Sequence, residues 1–471
     1  MLYRLRDAGF MAFLVGGCVR DLLIGIEPKD FDVATDALPE EVKRLFRNCR
    51  LVGRRFRLAH VFFGRETIEV ATFRATSAPS QGDEPLPAAD PEDGESPEID
   101  PAEDVEAPHS EAHARPRAAA RRGAEADEDE SGARMLDPSG RILRDNVYGT
   151  IDEDVWRRDF TANALYYNIA DFSLWDYVGG AQDIAARTLK VIGDPETRFR
   201  EDPVRMLRAA RFEAKLGFSI DPHTARFIGP LRELLAAVPP ARLFDESLKL
   251  FLSGHGARSF GVLRRRGLLA ALLPSVDAYF VSHPVSLVEK LLVQGLENTD
   301  ARVAADQAVT PTFLFALLLY GPIAGIIEAT APERWHELAT ILDACDQATR
   351  EAQTRIAIPK RFSLGVREMF ALQPRLEHPR GRRALRVLEH PRFRAAYDLL
   401  LLRARFGLAP AEMAQWWTRL QEVPPEARGE MADALAGSAR SGPAGPRAAG
   451  ASGAPRRRGG RRRRRAPKPA P

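Results

Sequence analysis

Two kinds of apolar spacing run along the chain. Through residues 1–76 and 135–180, short alternating or continuous apolar runs such as "AFLVGG", "DFDVAT", "AHVFFG" and "IEVATF" read as strands. They are interleaved with three-to-four-residue periodicity, as in "PEEVKRLFRN", which reads as helix. From about 181 to 425 the helical period dominates, in "PVRMLRAARFEAKLG", "FDESLKLFLSG", "GVLRRRGLLAALL" and "FRAAYDLLLLRARFG". Several of these segments open at Asp, Pro or Ser and close at Gly, as helix caps require. The expectation is an α+β head over 1–180, a helical neck over 181–240 and a helical body over 241–425, with no solenoid repeat.

Two stretches break the pattern. Residues 77–134 hold 17 acids and 5 arginines, a net of −12, with eight prolines and no aromatic residue. Such a segment buries too little apolar surface to offset chain entropy and is expected to be disordered. Folded-looking sequence on both sides makes it an insertion into the head. The tail from about 426 to 471 is rich in Ala, Gly, Pro and Arg and is likewise expected to be disordered. Its residues 440–471 carry ten Arg, one Lys and no acid, a net of +11. The overall charge of +3 hides this polarity, and the tail suits sequence-independent contact with nucleic-acid phosphates.

Composition changes the picture little. At 471 residues, 45% apolar and 28% charged, the chain has the make-up of a multidomain globular protein. Three scattered cysteines, Cys18, Cys49 and Cys345, argue against a disulfide framework or a zinc site. A reducing cytoplasm fits them. No signal peptide is evident, and the apolar run "PTFLFALLLYGP" is about half of what a membrane span needs.

The candidate chemistry begins in "FLVGGCVRDLLIG". There an apolar strand ends at Gly16-Gly17 and enters a helix, so backbone can approach a ligand and a helix N-terminus can favour an anion. Arg20 adds a cation. Ten residues on, Asp30 and Asp32 flank Phe31; strand alternation puts both carboxylates on one face and Phe31 in the core. Two like charges side by side are costly to desolvate, and a divalent cation offsets that cost. Paired carboxylates beside a phosphate-binding turn are what two-metal nucleotidyl transfer requires.

For a third carboxylate two candidates stand open. Glu69 shares its strand face with Ala71 and Phe73, and spacing slightly favours it. Asp159 follows Arg157 and Arg158 in "VWRRDFTANALYY", where its plain role is a helix cap. In "FREDPVRMLRAARF", Asp202-Pro203 reads as N-cap and first helical residue. Glu201, Arg205 and Arg208 follow helical spacing, and Asp202 is set to pair with Arg205. An acceptor and a donor held this way could read a base edge, although an ordinary capped helix gives the same pattern.

Together "LVGGCVRDLLIG", "KDFDVAT", "RRDFTANALYY" and "EDPVRMLRAARF" resemble, in order and spacing, the bacterial class II nucleotidyltransferases, which comprise CCA-adding tRNA nucleotidyltransferases and poly(A) polymerases. "NCRLVGRRFRLAHVFFG", "PPARLFDESLKLF", "IPKRF", "VLEHPRFRAAYDLLLLRA" and the Arg-rich tail look most like the poly(A) polymerase branch. The resemblance implies a polymerase-β-like head in which Asp30 and Asp32 hold two Mg²⁺ ions, with Asp159 as a third active-site residue. It implies nucleotide binding by Gly16, Gly17, Arg20, Arg157, Arg158 and Asn163, reading of adenine in the neck by Asp202 and Arg205, with Arg208 alongside, and RNA binding by the helical body 241–425 and the tail. Cys18 and Ala162 are small departures from the motifs. The implied activity is template-independent addition of AMP from ATP to RNA 3′ ends, by a cytoplasmic monomer meeting mRNA and RNA-decay proteins. The alternatives are CCA addition to tRNA and a non-catalytic RNA-binding protein; the intact Asp pair argues against the second.

Overall fold

In a computed structural model, residues 1–53, 57–64, 66–75, 135–136, 142–144, 148–330, 332–334 and 337–438 are described. Two compact units make up the chain, Met1–Pro322 with Gln347–Lys360, and Ile323–Asp346 with Arg361–Pro471. The acidic insertion 77–134 and residues 439–471 of the basic tail lie outside the described residues.

The first unit opens with helix α1 (Leu2–Asp7) and a mixed sheet. Its strands are β1 (Ala12–Val15), β2 (Asp32–Thr35), β3 (Cys49–Val52), β4 (Leu58–Phe63), β5 (Glu66–Thr72), β6 (Leu165–Asn168) and β7 (Leu174–Asp176). They lie in the order β3-β4-β5-β2-β1-β6-β7, with β2 parallel to β5 and the remaining neighbours antiparallel. Alternation sends the two sides of each strand into separate apolar clusters. Leu5, Val33, Val42, Phe46 and Val70 fill one, and Phe13, Val15, Ala34, Phe73 and Tyr166 fill the other.

Local signals account for the helices beside the sheet. Helix α2 (Gly17–Leu23) follows β1 directly, and α3 (Pro39–Leu45) starts at a proline. Helix α4 (Ile151–Arg157) is opened by a reciprocal Thr150–Glu153 cap, with Glu153 accepting from Thr150 N at 2.9 Å. After the sheet come α5 (Pro195–Glu201), whose cap Asp194 accepts from Thr197 N, then α6 (Val204–Leu216), which ends at left-handed Gly217, and α7 (Pro240–Phe251).

Some features depart from the sequence reading. Phe31 precedes β2 and is 42% exposed rather than in the core. Its would-be partner strand ends at Val15, where Gly16 turns the chain at φ 78°, so pairing begins only at Asp32. Asp202 is not the N-cap of α6; Pro203 holds that position, and Asp202 closes α5. The apolar run at 311 extends through Pro322 into a 20-residue helix, α8 (Pro311–Thr330). By length and composition it could cross a membrane, yet 72% of its apolar window is buried inside the protein.

The second unit is helical. Its helices include α9 (Lys360–Glu377), α10 (Arg383–Leu388), α11 (Phe393–Arg405) and α12 (Ala411–Glu422); on α12 the buried Trp417 donates through Nε1 to Leu376 O of α9 at 2.8 Å. Phe393 lies against Trp417 with ring centroids 5.4 Å apart. A further helix, α13 (Pro425–Ser438), occupies the start of the expected tail and buries Ala432.

Candidate active site

One row of register partners crosses four strands: Arg50 on β3, His60 on β4, Glu69 on β5 and Asp32 on β2. Partners in register share a face, so Asp32 and Glu69 stand side by side. Burial, then the Glu69 charge, push the Asp32 carboxyl up to about 6; Arg158 pulls it back and Asp30 adds to the rise. His60 Nε2 stands 3.5 Å from Glu69 on its other side. Asp30 and Phe31 lie just before the strand and are exposed.

The turn after β1 stands over Asp32. A Cβ built on Gly16 would lie 3.7 Å from Asp32 Oδ2 and 3.8 Å from Arg158 Nη1, so the missing side chain leaves that space open. The positive φ at Gly16 demands glycine for a second reason. Arg158 is fixed from behind: Nε donates to Tyr166 O–H oxygen at 2.6 Å and Nη2 to Asp154 Oδ2 at 3.1 Å. Tyr166 in turn donates to Asp154 at 2.7 Å. Burial opposes the Arg158 charge, but Asp154 and Tyr166 outweigh it and hold the group cationic.

Asp159 faces other partners. Arg208 of α6 meets it at 2.6 Å, and Asn163 Nδ2 donates to its Oδ1 at 3.3 Å. Burial raises its proton affinity, but Arg208 and Asn163 more than reverse that, leaving the carboxyl at about 2. Arg20, only 2% exposed, donates to Asn163 Oδ1 and pairs with Asp21 at 2.6 Å. A continuous chain Asp21–Arg20–Asn163–Asp159–Arg208 therefore ties the glycine turn to the helix that follows the head.

Beyond it, Arg205 of α6 pairs with Glu201 at the end of α5 at 3.2 Å, across the break at Asp202 rather than within one helix as the spacing suggested. Asp202 pairs with Arg242 of α7, not with Arg205: the guanidinium grips both carboxylate oxygens, at 2.7 and 2.6 Å. Burial opposes the Asp202 charge, and Arg242 overcomes it, holding its carboxyl below the usual range. Asp202 Oδ1 also accepts from Val204 N.

Sequence reasoning missed Arg242, Arg198, Asp154, Tyr166 and His60. Arg198 donates to the carbonyls of both Arg157 and Arg158 at 2.7 Å and to Glu201 at 2.6 Å, clamping the RRD segment to α5. The i,i+4 spacing of Asp154 and Arg158 is a signal that could have been read. Nothing local marks Arg242, forty residues from its partner.

The residues fit Mg²⁺ in an open arrangement. Among the described residues no three His, Cys, Asp or Glu side chains converge into a closed cage. Mg²⁺ is ordinarily held by one or two carboxylates, waters and substrate phosphates; here burial first, then the neighbouring Glu69 charge, disfavour ionised Asp32, a cost that a bound cation would relieve.

Three family matches cover most of the chain: the poly A polymerase head domain over residues 12–190, a probable RNA and SrmB-binding site of polymerase A over 217–280, and the polymerase A arginine-rich C-terminus over 333–466. Poly(A) polymerase I of Salmonella typhi is 44% identical over 437 residues, spanning 91% of this chain and 83% of the relative. A CCA-adding enzyme of Bacillus velezensis is 32% identical over 279 residues, 59% of this chain and 56% of the relative. A solved tRNA nucleotidyltransferase, complexed with a primer tRNA and an incoming ATP analog, shares the fold at TM-score 0.52 and 19% identity, covering 90% of this chain and 99% of its own. The extent and identity of the first of these relatives, together with the head-domain match, make this chain a member of the bacterial poly(A) polymerase family of nucleotidyltransferases.

Proposed function

We propose that this chain is a template-independent polynucleotide adenylyltransferase that transfers AMP from ATP to RNA 3′ ends. The observation that carries the reading is the in-register Asp32–Glu69 pair, with the Gly16 turn against Asp32 and Arg158 fixed beside it. The primer 3′-hydroxyl attacks the α-phosphate in line, a P–O bond forms to the primer, and pyrophosphate leaves. The open space at Gly16 lets phosphate oxygens approach the backbone, and the anchored Arg158 offers a cation that needs no reorganisation. Asp30 and Asp32 would hold Mg²⁺ with Glu69 beside them, and the ion would acidify the attacking hydroxyl and neutralise the leaving group.

Asp159 serves in this reading as an anchor: its charge is committed to Arg208 and Asn163, and it orients the glycine turn against α6. Asp202, kept ionised by Arg242, accepts from the adenine N6 amine through its remaining lone pairs, and Arg205 donates to a ring nitrogen. Repeated use of one protein-borne base reader, without a template strand, gives a homopolymer.

Asp30→Ala tests the assignment. Product formation is expected to vanish while RNA affinity, followed by anisotropy, survives. Nucleotide addition at the wild-type rate would overturn the site.

A further inference from the structure

The exact pentapeptide Leu-Glu-His-Pro-Arg occurs twice within the second unit, at 376–380 and 388–392. Helix α10 lies between the copies. A cavity of about 540 Å³ opens here, and its polar lining is Arg375, His378, Arg380, Arg383, Arg386 and His390, without a single Asp or Glu. Leu372 and Val387 contribute a buried apolar floor.

The surrounding charges sort into two groups. Arg382 pairs with Asp433 at 2.9 Å, Arg392 with Glu368 at 3.1 Å, and Glu377 turns inward to Arg403 at 2.5 Å. Those groups do not line the cavity. Among the described residues, none of Arg375, Arg380, Arg383 and Arg386 makes an ion pair, and all four are exposed. Glu389 is the one acid of the segment left over, so the cavity wall keeps a clear positive excess. Four uncompensated guanidiniums around one space repel each other, and an anion relieves that repulsion.

The chemistry of the anion follows from the wall. Small-molecule pockets of this size are mostly apolar with few polar groups; here an apolar floor is ringed by four arginines and two histidines with no acid among them. Guanidinium forks match phosphate oxygens bidentately. Four of them exceed the charge of a single phosphate, so they suit consecutive phosphates of a polymer. We infer that the α9–α10 cavity is a binding site for the RNA backbone, a phosphate-tracking subsite within the second unit. The inference deepens the proposed function by assigning part of the RNA contact to a folded cavity as well as to the tail.

The test uses the full chain, a fluorescent single-stranded RNA and EDTA, so that binding is read without catalysis. In the R375Q/R380Q/R383Q/R386Q protein the affinity is expected to fall ~10-fold or more at low salt, and the slope of log K against log salt to drop by about 2 to 3. The corresponding Arg→Lys set, which keeps the charge, retains most of the slope, and the KM for ATP stays at the wild-type value in both. Unchanged affinity and slope in the Gln set would overturn the inference. So would an equal loss in the Lys set, or a loss confined to ATP. A wild-type protein that binds RNA yet adds no nucleotide would sink the proposed function and leave this site standing.

Discussion

Ionised Asp32 works against the metal-free fold, and replacing it by asparagine should make that visible. Its carboxyl titrates near 6 where the ordinary value is 3.8, because burial and Glu69 both disfavour the charge. A difference of that size corresponds to about 3 kcal/mol for a fully sequestered group, and to about 1–2 kcal/mol once partial exposure is allowed for. The folded-state value is raised, so the wild type is most stable below 3.8 and loses stability as pH rises through 6. Asp32→Asn removes this penalty. In EDTA at about pH 8 the variant should melt higher than the wild type by roughly 2–8 °C. The gap should fall by about half near pH 5 and close below the ordinary carboxylate range. Adding Mg²⁺ should raise the wild-type melting temperature and leave the variant where it was. Differential scanning fluorimetry across pH, with and without Mg²⁺, measures all of this. A variant that melts below the wild type in EDTA at pH 8, or a gap that stays constant down to pH 5, would refute the reasoning.

Other outcomes follow from the same geometry. Glu69→Gln is expected to raise the Mg²⁺ concentration for half-maximal activity about 10–100-fold, whereas Asp159→Asn should leave the Mg²⁺ requirement unchanged and lower stability by about 1–3 kcal/mol by stranding Arg208; metal titrations and denaturation of both variants distinguish them. Arg242→Ala frees Asp202 and should raise the KM for ATP about 10-fold with kcat little changed, since binding of the base rather than the transition state is lost; steady-state kinetics with ATP reads this out. Gly16→Ala forces a side chain into a left-handed backbone at a cost of about 1–2 kcal/mol and fills the space over Asp32, so activity should fall together with stability. In the second unit, Glu377→Gln leaves Arg403 buried without its counter-charge and should cost about 3–5 kcal/mol, seen as a lower denaturant midpoint.

Much of the head was legible because its rules are local. Alternation in "IEVATF" put Glu69 on the face of Phe73, and the sheet delivers both to the side where Asp32 stands. The glycine turn could be read from Gly16-Gly17, since glycine adopts a positive φ such as the 78° at Gly16 without a Cβ penalty. Alternation failed at Phe31 because the same turn removes the neighbouring strand, so a residue one step before the ladder has no inner face to occupy. Asp202 departed from its expected pairing with Arg205 for a different reason: Arg242, distant in sequence, grips both of its carboxylate oxygens, while Oδ1 still accepts from Val204 N. The arginine-lined cavity was invisible because its charge excess depends on which neighbours Asp433, Glu368 and Arg403 neutralise, a question only tertiary structure answers.

Primer extension tests the central claim most directly. A single-stranded RNA and a tRNA lacking its terminal CCA are each offered one nucleotide triphosphate at a time with Mg²⁺. The account predicts long homopolymer products on the plain RNA with ATP and little with CTP. Addition that occurs only on the tRNA and stops after C, C and A would contradict it.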